Sequence, residues 1–282
     1  MPTSTPPIVT TEWLDEHLDA PDIRIVDGSW YLPAMAHNAQ QEFLDGHIPN
    51  AVFFDIDDIS DAESPFPHML PAPEKFSSRM KKLGIGDGHH VIAYDGAGVF
   101  SSARVWWMFH AMGHENVSVL DGGLPKWKAE GRSLETKQQP RGQRHYTARL
   151  NNFIVRDLSH MQRNLMTKRE QVLDARSQAR FDGTAPEPRP ELPSGHMPDS
   201  LSVPFTLLIN EDGTLKAAHE LQAILEGAGV DLTRPIITTC GSGVTAAILS
   251  LALTVLGHKA TSLYDGSWSQ WAATDGTEIV RS

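Results

Sequence analysis

At 282 residues, of which 40% are hydrophobic and 21% charged, the chain can bury a sizeable core and has the composition of a globular protein of two domains. Its 24 basic and 35 acidic residues give a net charge of −11, which argues against nucleic acid or an anionic membrane as a general partner. The single cysteine excludes an intrachain disulfide and a cysteine-cluster zinc site, and it suits a reducing compartment.

The opening Met1-Pro2-Thr3-Ser4-Thr5-Pro6-Pro7 lacks the basic and apolar regions of a secretory signal. The most apolar segment, 246–256, is too short to span a bilayer. A cytoplasmic location is expected. Taken in chain order, short apolar runs predict strands over 23–27, 51–54, 91–95 and 117–121, with helices over 74–83 and 101–112 between them. A polar, basic stretch without periodicity, 136–144, reads as a linker. Strands are then predicted over 172–175, 201–204, 236–239 and 262–265, with helices over 216–227 and 244–256. In the last helix, Val244, Ile248, Leu251, Ala252, Val255 and Leu256 fall on one face. The segment 182–198, rich in proline and glycine, is a loop that can carry function.

The two halves repeat each other. Gly46-His47-Ile48-Pro49 recurs as Gly195-His196-Met197-Pro198, Gly113-His114 as Gly257-His258, and Leu120-Asp121-Gly122 as Tyr264-Asp265-Gly266. Val91-Ile92-Ala93-Tyr94-Asp95-Gly96 aligns with Ile236-Ile237-Thr238-Thr239-Cys240-Gly241. Matching blocks in one order at nearly constant spacing indicate two copies of one domain. Strand–helix alternation within each copy predicts an α/β fold, each domain a mainly parallel sheet with helices on both faces. The expected boundaries are 1–140 for the first domain, 141–152 for the linker and 153–282 for the second.

The most reactive candidate is Cys240, at a predicted strand-to-helix turn. Backbone N–H groups and a helix N-terminus there favour a thiolate over a thiol. The first copy has Asp95 at this position, so thiol chemistry is confined to the second. No basic residue lies in Cys240-Gly241-Ser242-Gly243-Val244-Thr245, and Ala246 stands where cysteine phosphatases need an arginine. Phosphate-ester hydrolysis is therefore disfavoured. His89, His90 and the repeated His47 and His196 lack ligand spacing for a metal. No metal site and no cofactor are expected.

The loop 240–245 resembles the active-site loop of 3-mercaptopyruvate sulfurtransferases, in the rhodanese superfamily. The resemblance extends over nearly the whole chain, through Ser29-Trp30-Tyr31-Leu32-Pro33, Phe53-Phe54-Asp55-Ile56-Asp57, His68-Met69-Leu70-Pro71, Arg104-Val105-Trp106-Trp107-Met108 and Tyr264-Asp265-Gly266-Ser267-Trp268. It implies two tandem rhodanese-like domains, the first non-catalytic and the second catalytic. It further implies that Cys240 takes sulfur from 3-mercaptopyruvate as a persulfide, releasing pyruvate, and passes it to a small thiol, cyanide or thioredoxin. Arg180 and Arg189 match the family's substrate-binding arginines, and a guanidinium can hold the planar donor carboxylate through paired hydrogen bonds. The loop residues Gly241, Gly243, Val244 and Thr245 are expected to line that site. Asp57, His68 and Ser242 match residues assigned to proton transfer, with a structural role for His68 as the competing account. Ala179 stands where relatives often have glycine. Thiosulfate is the alternative donor, although thiosulfate-preferring relatives carry basic residues at the positions of Gly241 and Ser242. A non-catalytic sulfur carrier or binding module is the remaining alternative, and a monomer is expected.

Overall fold

The computed structural model describes residues 5–137 and 141–282. They form two compact units. The first falls within Met1–Ala62, Leu70–Asn151 and Asn210–Leu215; the second comprises Glu63–Met69, Asn152–Ile209 and Lys216–Ser282. Each half of the sequence therefore lends one short segment to the other half's unit. The predicted linker stretch 136–144 includes residues 138–140, which lie outside the described residues. From Arg141 the chain runs within the first unit, where Arg141 Nη2 donates to the Asn50 carbonyl at 2.8 Å and the Thr147 N–H donates to Asp87 at 2.8 Å.

The first unit contains β1 (Ile8–Val9), α1 (Thr11–Glu16), β2 (Ile23–Asp27), α2 (Ala39–Asp45), β3 (Val52–Phe53), α3 (Ile56–Ile59), α4 (Pro73–Lys82), β4 (His90–Tyr94), α5 (Ser101–Ala111), β5 (Val117–Leu120) and α6 (Gly123–Ala129). Its sheet is parallel, in the order β1-β5-β4-β2-β3. The second unit contains β6 (Val155–Arg156), α7 (Leu158–Thr167), β7 (Gln171–Asp174), α8 (Gln178–Phe181), β8 (Ser200–Ser202), α9 (Ala218–Gly227), β9 (Ile236–Thr239), α10 (Ala246–Val255), β10 (Thr261–Tyr264) and α11 (Ser267–Trp271). Its sheet repeats the same parallel order, β6-β10-β9-β7-β8. Every residue of β5, β7 and β9 is buried, so side chains on both faces of each sheet are covered.

The central strands and the helices α4, α5, α9 and α10 lie where the sequence pattern places them. The edge strands β1 and β6 and the helices α1, α2, α3, α6, α7, α8 and α11 are additional. Several of these helices start on a local cap: Thr10, Asn38 and Asp157 accept N–H bonds from Trp13, Gln41 and His160. One expectation needs correcting. α10 starts at Ala246 rather than 244, and every residue from Ala246 to Leu253 is buried. It is a central helix enclosed on all sides, not one with a single apolar face. Among the described residues, no helix is long and apolar enough to cross a membrane.

The repeated Gly-His-Ile/Met-Pro motif is a packing device. His47 Nδ1 bonds the Phe43 carbonyl at 2.7 Å and its ring stacks on Phe43; His196 Nδ1 bonds the Phe181 carbonyl at 2.8 Å and stacks on Phe181. Each histidine also exchanges a pair of backbone hydrogen bonds with a distant residue, Glu135 for His47 and Val280 for His196. The same function of the same residue in both units is what duplication requires.

Within the first unit, α5 carries a half-buried imidazole. Burial pulls His110 down to about 4, with His114 adding to the effect, and its ring packs edge-on against Trp106. A depressed histidine favours the folded state above the unfolded value of about 6.5, and that contribution is lost as pH falls toward 4. His110 alone should remove about 2 kcal/mol of first-unit stability between pH 7 and pH 5. Urea titrations at the two pH values check this: His110→Phe should lose less stability on acidification than the parent, and an equal loss would remove His110 as the cause.

Candidate active site

β9 lies centrally in its sheet, between β10 and β7, and the chain leaves it at Cys240. This is the carboxyl edge of a parallel sheet, where open α/β folds bind ligands. Cys240 is a free thiol, 2% exposed. Gly243 has a φ of 80°, a turn that a side chain would strain. Val244 is buried, Thr245 is half-buried, and the helix follows.

The start of α11 grips this loop. The Trp268 N–H donates to the Cys240 carbonyl at 2.9 Å, and the Ser269 N–H and hydroxyl donate to the Gly241 carbonyl at 2.9 and 2.7 Å. A trans peptide points its C=O and N–H in opposite directions. With both carbonyls held on α11, the N–H groups of Gly241 and Ser242 face away from it. Ser242 is buried, and its hydroxyl lies 2.9 Å from His68 Nδ1. His68 comes from the first half of the sequence but belongs to the second unit, through the segment Glu63–Met69, and holds a left-handed φ of 60°. A histidine at such a backbone angle is uncommon, and strain of that kind collects where side chains must be aimed.

Arg180 lies in the short helix α8. Its guanidinium comes close to the loop: a Cβ placed on Gly241 would lie 3.1 Å from Arg180 Nη2. Arg180 Nε and Nη2 donate to Glu187 Oε2, the first at 3.2 Å. Arg189, half-buried, is pulled below the usual arginine value by burial; Glu191 and Cys240 act in the opposite direction, which puts Arg189 within electrostatic reach of the thiol. Cys240, Ser242, His68, Arg180 and Arg189 thus share the second unit. Asp57 belongs to the first, in the opening turn of α3, where its Oδ2 accepts the Trp30 indole N–H at 3.2 Å. Among the described residues, no group of three or more His, Cys, Asp or Glu side chains could hold a metal ion.

Three charged residues behind the site are not foreseen from the sequence. Arg176 is fully buried; its Nε and Nη2 clasp Asp174, its Nη1 donates to Glu187 Oε1 at 2.8 Å, and Nη2 also donates to the Gly195 carbonyl at 2.7 Å. Its guanidinium lies 4.2 Å from the Trp268 ring centroid. Burial works against its charge, but Asp174 and Glu187 outweigh that and push it above the usual arginine value. The repeat offers a signal for Arg176: Asp174-Ala175-Arg176 ends β7 where Asp27-Gly28-Ser29 ends β2.

The first unit shows what the same edge becomes without a thiol. The Asp95 carboxylate accepts the N–H groups of Ala97, Phe100 and Ser102 at 2.8 to 2.9 Å, so the loop's own side chain takes up its anion-seeking donors. Next to it, burial pushes Asp27 up to about 6, with Asp95 adding to the rise against the Ser29 hydrogen bonds.

The rhodanese-like domain matches residues 10–130 and again 157–274. The chain is 44% identical over 271 residues to the 3-mercaptopyruvate sulfurtransferase of Escherichia coli K12, covering 96% of each. It is 41% identical over 291 residues to the mitochondrial thiosulfate/3-mercaptopyruvate sulfurtransferase 1 of Arabidopsis thaliana, covering 96% of this chain and 77% of that one. Among solved structures it resembles the 3-mercaptopyruvate sulfurtransferase SseA of Escherichia coli, with a TM-score of 0.86 at 43% identity over 94% of this chain and 99% of the other. With the domain matched in both halves and relatives of this identity along almost its full length, the chain belongs to the rhodanese family.

Proposed function

We propose that the chain is a 3-mercaptopyruvate sulfurtransferase whose second unit does the chemistry. The observation that carries the reading is a lone buried thiol on a loop without a cationic side chain, with Arg180 beside Gly241 and Arg189 within electrostatic reach of Cys240. Arg180 and Arg189 hold the donor's carboxylate, and the N–H groups of the loop 241–245 surround the reacting sulfur. The Cys240 thiolate attacks the donor sulfur; an S–S bond forms, the C–S bond breaks and its electron pair leaves on carbon as the enolate of pyruvate. That carbon then gains a proton. Ser242 passes it, a role that its hydrogen bond to His68 supports. The role of Asp57 in this transfer rests on the resemblance alone. A thiol, cyanide or thioredoxin removes the outer sulfur of the persulfide and restores Cys240. The first unit, with Asp95 holding its own loop, is non-catalytic. A reducing, cytoplasmic setting suits a reaction that needs Cys240 as a free thiol.

Turnover of 3-mercaptopyruvate and of thiosulfate, side by side with cyanide as acceptor, tests the reading. Mercaptopyruvate should give the higher kcat/KM, and Arg189→Met should raise its KM by about tenfold or more, the scale of a lost charged hydrogen bond. A larger kcat/KM for thiosulfate reassigns the donor. Turnover of neither would leave a sulfur-carrying or docking module. Unchanged kinetics in Arg189→Met would place the carboxylate elsewhere.

A further inference from the structure

We propose that Glu187 is a positioning residue for Arg180 and sets donor selectivity, favouring a thiol donor with a single carboxylate over an inorganic dianion. The proposal rests on the sulfurtransferase reading and deepens it.

The Glu187 side chain is 2% exposed, and each of its oxygens is committed. Oε1 accepts from Arg176 Nη1, and Oε2 accepts from Arg180 Nε and Nη2. Arg176 cannot move, because it is fully buried, clasped by Asp174, tied to the Gly195 carbonyl and stacked on Trp268. Glu187 is therefore a rigid bracket between a fixed arginine and one at the loop. A guanidinium has a limited set of paired N–H edges, and Glu187 takes the Nε–Nη2 edge of Arg180. The edge left for a ligand is Nη1 with the second Nη2 proton. That is the edge whose Nη2 approaches Gly241, next to the nucleophile. Released from Glu187, the four-residue helix α8 would hold Arg180 only by its backbone, and the side chain, 21% exposed, could rotate its other edges into the site.

The charges point the same way. Arg176 and Arg180 are matched by Asp174 and Glu187, so this four-residue cluster is neutral, and Arg189, which acts on Cys240, is itself faced by Glu191. A site with so little uncompensated positive charge suits a monoanionic donor. A dianion such as thiosulfate brings one more charge to be compensated, which in a partly buried site weighs heavily. No residue of the loop 240–245 makes up the difference.

The test compares Glu187→Gln with the parent full-length chain, using 3-mercaptopyruvate and thiosulfate as separate donors. Glutamine keeps the shape and can accept from one arginine, but removes the charge. The expected result is a KM for mercaptopyruvate raised about tenfold with kcat little changed, and a thiosulfate kcat/KM that holds or rises, so that the ratio of the two shifts toward thiosulfate by about tenfold or more. In an Arg180→Met background, Glu187→Gln should leave the mercaptopyruvate KM where Arg180→Met put it. An unchanged ratio in an active Glu187→Gln enzyme overturns the proposal and leaves the sulfurtransferase reading standing. A further full-sized loss in the Arg180→Met background also overturns it. A parent chain inactive with both donors overturns the reading and the proposal together. Should Glu187→Gln fail to fold, Glu187→Asp keeps the charge while shortening the reach. It should raise the mercaptopyruvate KM and spare thiosulfate, and an equal loss for both donors overturns the proposal.

Discussion

Cys240→Ser is expected to lose turnover with both donors by at least about 10⁴-fold, the scale seen when an enzyme's covalent nucleophile is removed. A serine hydroxyl stays protonated near neutral pH and cannot carry a persulfide. The chain holds no second cysteine to take over. The equivalent position in the first unit is Asp95, whose carboxylate is already bonded to three backbone N–H groups. The substitution itself should be well tolerated, since the thiol is small and its backbone is held through the Trp268 and Ser267 contacts. The sharper readout is therefore mass rather than rate. After treatment with mercaptopyruvate the parent protein should gain the mass of one sulfur atom, and Cys240→Ser should gain nothing. Retention of that gain by a folded Cys240→Ser protein would take Cys240 out of the mechanism.

The central architecture is legible in the sequence because β2, β4, β7 and β9 are largely buried, and each carries an apolar centre: Ile25-Val26, Val91-Ile92, Val172-Leu173 and Ile236-Ile237. β1 and β6 are two-residue edge strands, below the length at which any periodicity shows. α10 misleads for a related reason. Every position from Ala246 to Leu253 is apolar or small and all are buried, so a face can be drawn through almost any subset of them. Cys240 is visible as a lone nucleophile at a strand end. Arg180 and Arg189 stand out only through the resemblance, since nothing in the spacing of the 182–198 loop says where it turns. Glu187 is hidden more deeply. Its two partners lie 11 and 7 residues away in sequence, and the pairings follow from the path the chain takes after α8. The pairing of Ser242 with His68 spans 174 residues, and no local pattern encodes a contact of that range.

Arg176→Met is expected to cost the second unit about 3–5 kcal/mol, the range for removing one member of a buried ion pair. The parent arrangement is itself of modest net value, because desolvating four charged groups offsets much of their attraction. Removal of Arg176 is different. Asp174, 1% exposed at its side chain, and Glu187, 2% exposed, would remain in a dry environment without the guanidinium that both face. The Gly195 carbonyl would lose a donor at 2.7 Å, and the Trp268 ring would lose the cation above it. Methionine restores most of the volume, so the loss measures charge compensation rather than a cavity. Two controls separate these effects. The deficit should narrow as pH falls, because protonation relieves the stranded carboxylates. The combined variant Arg176→Met, Asp174→Leu, Glu187→Met should recover much of the stability while leaving Arg180 without its bracket and mercaptopyruvate use impaired. Urea unfolding of the three proteins at neutral and mildly acidic pH reads both. A loss below about 1 kcal/mol, or one that does not change with pH, would mean that solvent reaches the cluster and that the bracket behind Arg180 is softer than its burial implies.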